Sequence, residues 1–230
     1  MERLKIVALG DSITKGVVLS GENNYSVIDG SFVEILRREQ NLDINNYGRF
    51  GCTVNYGHQV IDRHSEEIAS AEYTIIEYGG NDCDFHWKRI ALDPKAEHKP
   101  KTTLEAFRES FVELIDKVKA LGSKPIILSL PPIVSDSYFA FFSRSMDQSQ
   151  QNNILGWMGG EVEAIERWHE DYNRELFAIA TQTATPILDI THPFSDLKEE
   201  WRSLICPDGI HPNAKGHRLI ANSIMTAAVF

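Results

Sequence analysis

Short apolar runs alternate with longer amphipathic stretches along this chain, and the two kinds repeat with different periods. "LKIVALG" (4–10) is an unbroken apolar run closed by glycine, the pattern of a strand covered on both faces. "SFVEILRREQ" (31–40) sets Phe32, Val33, Ile35 and Leu36 on one helical stripe, and "LDINNYG" (42–48) predicts a short second strand. A polar helix, "VIDRHSEEIASA" (60–71), precedes a strong strand, "YTIIEYGG" (73–80). The clearest helix spans 102–122. Thr102 or Thr103 caps it, Leu104, Phe107, Phe111, Leu114, Ile115 and Val118 form its apolar stripe, and Gly122 ends it. "KPIILSLPP" (124–132) reads as the fourth strand, 162–183 as a long helix, "TPILDIT" (185–191) as the fifth strand and 214–229 as the last helix.

This repetition of strand and helix predicts a parallel sheet with helices on both faces, because parallel neighbours need a crossover between them. Five strands make a flavodoxin-like, doubly wound α/β fold the expectation, in three layers (α/β/α) and in a single domain over 1–230. Two stretches do not fit the alternation: 83–101 after the third strand and 131–160 after the fourth. Both follow strand C-termini, the edge where open α/β sheets bind ligands, so they read as insertions decorating an active-site edge.

Composition narrows the function. The formal net charge of −10 speaks against nucleic acid and anionic membrane as partners. Cys52, Cys83 and Cys206 are scattered with no CxxC pair, so neither a zinc site nor a disulfide framework is expected, and small buried packing is the reading for Cys52 and Cys83. No stretch approaches the roughly 18 apolar residues of a membrane span, and no signal-peptide core precedes the first strand. A cytoplasmic protein without membrane insertion is the expectation. Nothing in the pattern bears on oligomeric state.

The first strand ends in "GDS", which places Ser12 at the sheet's carboxyl edge. A nucleophilic serine needs a base beside its Oγ and a group that holds the imidazole in one tautomer. Far along the chain, "CPDGIHPNAKGHRLIA" (206–221) places Asp208 and His211 three apart in a Pro/Gly-rich loop feeding a helix. Taken alone, an Asp-x-x-His pair reads more readily as a capping or ion-pair feature than as a catalytic one. Two further loops bring donors for negative charge. "NYGRFGCTVN" (46–55) follows the second strand, and "EYGGNDCDF" (77–85) puts Asn81 and Asp82 after the third. Backbone N–H groups at glycines and an Asn amide are the donor types of an oxyanion hole. In a doubly wound sheet the loops after the first three strands converge on one rim.

These blocks together, "GDSIT" (10–14), "FGCT" (50–53), "GGND" (79–82) and "DGIH" (208–211), resemble the four signature blocks of the SGNH hydrolases, the GDSL-type esterases and lipases. "YNREL" (172–176) and "HPNAKGHRLIA" (211–221) extend the resemblance over essentially the whole chain. The resemblance implies Ser12 as nucleophile and first oxyanion donor, the Gly51 N–H as second donor and the Asn81 amide as third. Gly51 is preferred to Gly48 because its glycine-x-threonine spacing with Thr53 fits the block. His211 would be the general base and Asp208 its orienting partner, with no metal and no cofactor. Asp11 would bond backbone groups of neighbouring loops and hold the turn in shape.

The resemblance implies a small-molecule carboxylic ester as substrate, with short acyl groups such as O-acetyl on carbohydrates foremost and longer acyl esters, lysophospholipids or thioesters as alternatives. The 131–160 insertion is unusually aromatic (Tyr138, Phe139, Phe141, Phe142, Trp157, Met158) and reads as a substrate wall, a lid or a packing surface. Phe85, Trp87, Tyr138, Phe139 and Trp157 are the candidate pocket residues. His58, His64, His98, His169, His192 and His217 show no ligand spacing. A non-catalytic ligand-binding module on the same fold stands against the intact set Ser12, Asn81, Asp208 and His211. A receiver-like use of Asp11 with a metal would want a lysine after the fifth strand, and "LDITHPF" (188–194) has none.

Overall fold

The computed structural model describes residues 3–21 and 24–227. In chain order its elements are β1 (Lys5–Gly10), α1 (Ser12–Lys15), β2 (Val17–Ser20), β3 (Asn24–Val27), α2 (Phe32–Glu39), β4 (Asp43–Asn46), α3 (Val54–Arg63), α4 (Ser65–Ala69) and β5 (Tyr73–Glu77). They continue with α5 (Trp87–Leu92), α6 (Leu104–Ala120), β6 (Lys124–Leu128), α7 (Ser135–Ser143), α8 (Gln148–Trp157), α9 (Ala164–Thr183), β7 (Ile187–Leu188), α10 (His192–Ser195), a 3-10 turn (Lys198–Leu204) and α11 (Ala214–Thr226). The sequence expectation for the last helix runs to 229, and its final two positions lie outside the described residues.

Five strands form one parallel sheet in the order β4-β1-β5-β6-β7. Strand alternation explains why the runs are apolar throughout. Val7, Leu9, Ile76 and Ile127 face one core, shared with α3, α6 and α9, while Ile6, Ala8, Ile75, Ile126 and Leu128 face another, shared with α2 and α11. The clearest helix of the sequence is α6, capped by Thr103, whose side chain accepts from the Ala106 N–H, and it ends before Gly122 at φ +90°. β5 and β6 end before their apolar runs do, because residues 78–80 and 129–132 leave the sheet to build loops.

Three differences from the sequence expectation have physical reasons. The helix expected at 60–71 begins six residues earlier, at Val54, and breaks at His64 into α3 and α4. β2 pairs antiparallel with β3, whose four residues Asn24–Val27 alternate polar and apolar but are exposed on both faces, too short a run with no buried face to signal a strand. The two insertions are helical and pack on each other: α5 meets α8, and Phe85, Trp87, Ile90, Ile154 and Met158 join one apolar cluster with residues of α9.

His217, on α11, is buried and accepts a hydrogen bond from the Phe32 N–H at its Nδ1 (3.4 Å), while its Nε2 has no partner among the described residues. Burial, helped by the nearby His211, pushes the imidazole from 6.5 down to about 4. The unfolded chain therefore binds a proton between these values that the fold refuses, so this group's contribution to stability is present above pH 6.5 and is lost as pH falls towards 4. The loss amounts to about 3 kcal/mol at full development. Asp11, Glu77 and Asp82, buried with raised pKa values, act in the opposite sense, but they are common to wild type and variant. Urea unfolding from pH 7 to pH 4 is expected to show a shallower loss of stability in His217→Gln than in wild type. Parallel profiles would contradict this reading.

Candidate active site

The order β4-β1-β5 places the loops after three strands side by side at one rim, where the sheet reverses its winding direction. After β1 the chain turns at once into α1. The Asp11 carboxylate caps that turn, with Oδ1 accepting from the Ile13 N–H (2.8 Å), and Ser12 takes the first helical position. Gly10 has to be glycine here, since a Cβ would lie 2.1 Å from Thr14 Oγ1 and 2.9 Å from the Glu77 carbonyl.

Asp208 and His211 arrive from the opposite direction. Their loop is pinned by a bridge between Ile205 and Pro212, by the Cys206 N–H donating to the His211 carbonyl (2.7 Å) and by the Val134 N–H donating to the Gly209 carbonyl (2.7 Å). Gly209 adopts φ +78°, and a Cβ there would strike the Tyr138 nitrogen and the Val134 carbonyl oxygen at 2.5 Å each. The loop thus sits directly against the start of α7. The result is a continuous line: Ser12 Oγ to His211 Nε2 at 2.9 Å, and His211 Nδ1 to Asp208 Oδ2 at 2.6 Å. Asp208 Oδ1 also accepts from the N–H groups of Ile210 (3.1 Å) and His211 (3.2 Å). Burial pushes the Asp208 carboxyl up, but the His211 contact and these two N–H donors outweigh it and hold it below its ordinary value.

Asn81 and Gly51 border the same cavity as Ser12 and His211. The Asn81 amide donates one hydrogen to Asp11 Oδ2 (2.9 Å), so Asp11 ties together the β1 and β5 loops. Its expected role therefore changes in detail: it takes the backbone of its own turn and a neighbouring side chain, not the backbone of neighbouring loops. Behind it lies Glu77, whose Oε2 accepts from Thr14 Oγ1 (2.8 Å). Burial, and after it the neighbouring Asp11 charge, raises the Glu77 carboxyl well above its usual range. Asp82 links the next pair of loops by accepting from the Val54 N–H with both oxygens (3.2 Å each), which positions the segment carrying Gly51. Burial lifts Asp82 to about 7 against its bonds to Thr102 and Val54. Gly51 itself stands at φ +71°, a conformation that a side chain would strain.

The cavity that opens from Ser12 measures about 390 Å³. Phe85, Trp87 and Tyr138 line it, as does Phe141 on the same insertion. Phe139 and Trp157, expected in the wall, are not among its lining residues. Phe139 packs edge-on against Phe142, and Trp157 packs against Phe85 and Trp168, so both buttress the wall from behind. Sequence reasoning missed Tyr25 and Phe50, whose rings lie 5.3 and 5.9 Å from the His211 ring and form the lip over it. It also missed Lys101, Trp168 and His169 in the lining. No spacing signals them, because they come from separate stretches of the chain: Lys101 precedes α6, while Trp168 and His169 sit on α9. Cys83 also lines the cavity and is buried, while Cys52 is only partly buried. Glu175, on α9, is buried and paired with Arg108. No described helix is long and apolar enough to cross a membrane.

Comparison with known proteins gives a consistent result. The chain is similar to the uncharacterized lipoprotein YqeF of Bacillus subtilis (strain 168), at 26% identity over 97% of this chain and 89% of that protein. Among solved structures it shares the fold of a lipase/acylhydrolase from Enterococcus faecalis (18% identity, 97% and 94% of the two chains, TM-score 0.66). It also shares the fold of Axe2, an acetylxylan esterase from Geobacillus stearothermophilus (20% identity, 99% and 94% of the two chains, TM-score 0.61). A family model described as the GDSL-like lipase/acylhydrolase family matches residues 8–219, which takes in all four signature blocks, and the chain therefore belongs to that family of SGNH hydrolases.

Proposed function

We propose that this chain is a serine hydrolase of carboxylic esters that works through an acyl-enzyme intermediate. The observation that carries the reading is the buried, hydrogen-bonded line Ser12–His211–Asp208 opening on a cavity. In this reading His211 Nε2 takes the proton of Ser12 Oγ as it attacks the ester carbonyl, and Asp208 keeps the other ring nitrogen protonated and stabilises the imidazolium. The oxyanion forms against the N–H groups of Ser12 and Gly51 and the Asn81 amide. His211 then protonates the leaving alcohol, the ester C–O bond breaks, and water activated by the same imidazole releases the acid and restores Ser12.

An Asn amide carries two donor hydrogens, and Asn81 uses one on Asp11, which leaves the second for the oxyanion. Asn81→Ala is expected to lower kcat on the order of 10²–10³-fold with little change in KM, since the lost interaction exists in the transition state alone. A change in KM with kcat intact would remove Asn81 from the oxyanion hole.

The substrate class proposed is esters of short acyl groups, O-acetyl groups on carbohydrates foremost. The polar groups of the cavity, Asp84, Lys101 and His169, support it, because a long hydrocarbon chain would strip them of water and return no partner. The shared fold of an acetylxylan esterase is compatible with it. Longer acyl esters are the second reading, favoured by the apolar wall residues Leu130, Ile133 and Ile165. A ladder of p-nitrophenyl esters from acetate to palmitate tests both: the optimum is expected at acetate to butyrate, and an optimum at long chains would favour the second reading.

A further inference from the structure

His169 is the polar residue of the cavity with the least accounted role. It sits on α9 and is 6% exposed, and neither ring nitrogen makes a hydrogen bond among the described residues. Neither nitrogen is sealed from solvent, so both are open to a partner that enters the cavity. Burial pushes its pKa from 6.5 down to about 4, so the ring is neutral at pH 7 and offers one donor and one acceptor.

Two more polar groups share the cavity. Asp84 accepts from Trp87 Nε1 and from the Tyr138 hydroxyl with Oδ1 (2.8 Å each) and from Lys101 Nζ with Oδ2 (2.8 Å). The first two bonds lock the aromatic wall to Asp84. Lys101 keeps two ammonium hydrogens beyond that contact, and Asp84 Oδ2 keeps a free lone pair. Flat rings and polar groups share this wall: Phe85 lies 4.9 Å from Trp168, and His169 follows Trp168 in sequence. A sugar ring has matching chemistry, with a C–H face for the aromatic rings and hydroxyls for the polar groups. Neither an acyl chain nor a plain aromatic alcohol satisfies both.

We propose that His169, together with Asp84 and Lys101, recognises hydroxyl groups on the alcohol part of the ester, which makes a polyhydroxylated alcohol such as a sugar the leaving group. This rests on the ester-hydrolase reading and assigns its specificity to residues outside the Ser12–His211–Asp208 line. His169 also borders a smaller cavity of about 190 Å³, which it shares with Glu166, Glu170 and Asn173. A role confined to that second cavity is the competing use of its nitrogens.

The experiment compares kcat/KM for a mono-O-acetyl methyl glycoside with kcat/KM for p-nitrophenyl acetate, whose alcohol has no aliphatic hydroxyl. His169→Phe is expected to lower the glycoside-to-nitrophenyl ratio on the order of 10- to 100-fold, mainly through KM for the glycoside. His169→Gln, which keeps a donor and an acceptor, is expected to keep most of the ratio. Lys101→Met, at a side chain 28% exposed, lowers the ratio in the same direction and serves if a buried substitution prevents folding. An unchanged ratio in His169→Phe and Lys101→Met overturns the proposal, as would equal losses on both substrates. Wild type that cleaves p-nitrophenyl acetate but not the glycoside also overturns it and leaves the ester-hydrolase reading standing. Failure on both esters removes that reading itself.

Discussion

Ser12→Ala is expected to lower kcat on p-nitrophenyl acetate on the order of 10⁶-fold, the scale on which serine triads lose activity when the nucleophile is removed. The substitution deletes a single oxygen, which touches His211 Nε2 at 2.9 Å, from a side chain already 6% exposed, so the fold has little reason to change. Asp11 keeps its cap on Ile13 and its bond to Asn81, since both use the Asp11 carboxylate and neither uses Ser12 Oγ. A fluorophosphonate probe adds a second readout. It should label wild type at Ser12 and leave the alanine variant unlabelled, because phosphonylation needs the same activated oxygen. Retained turnover in the alanine variant, or labelling elsewhere in the cavity, would move the chemistry to another group.

Asp208→Asn is expected to cost about 10⁴-fold in kcat while the protein stays folded. The reason lies in which atoms Asp208 uses. Oδ1 accepts from two backbone N–H groups, so an asparagine keeps its oxygen there and turns its NH₂ towards His211 Nδ1. Nδ1 must then be an acceptor, the ring proton moves to Nε2, and Nε2 can no longer accept the proton of Ser12. The loop anchors at Val134, Cys206 and Pro212 do not involve the side chain and should hold. A thermal midpoint within a few degrees of wild type together with the loss of kcat would match this account. Activity within tenfold of wild type would show that Asp208 does not set the tautomer.

Much of this architecture was legible in the chain. Strand residues such as Val7, Leu9, Ile75 and Ile76 are apolar on both faces because helices cover both faces, and the run itself records that. The helix α6 could be read to its cap and its glycine stop, since both signals are local. The blocks holding Ser12, Asn81, Asp208 and His211 were legible for a different reason. Each sits in a loop directly after a strand or before a helix, so its position at the rim follows from topology.

Other features came from the tertiary structure alone. The strand carrying Tyr25 is four residues long and exposed on both faces, so its pattern marks no buried side, and nothing in its sequence placed that ring against His211. In the aromatic insertion, α7 offers rings on several sides. Packing against α5 and α8 turned Tyr138 and Phe141 to the cavity and Phe139 to the back, and it placed Trp157 behind Phe85. His169 reads in sequence as one more helix residue and becomes a wall residue only where α9 meets the insertions. The chain by itself determined the five sheet strands, the main helices that cover them and the rim that gathers the reactive groups, because apolar runs and strand connections are properties of sequence. What surrounds those groups was decided by side chains from separate elements competing for the same space, which no local pattern encodes.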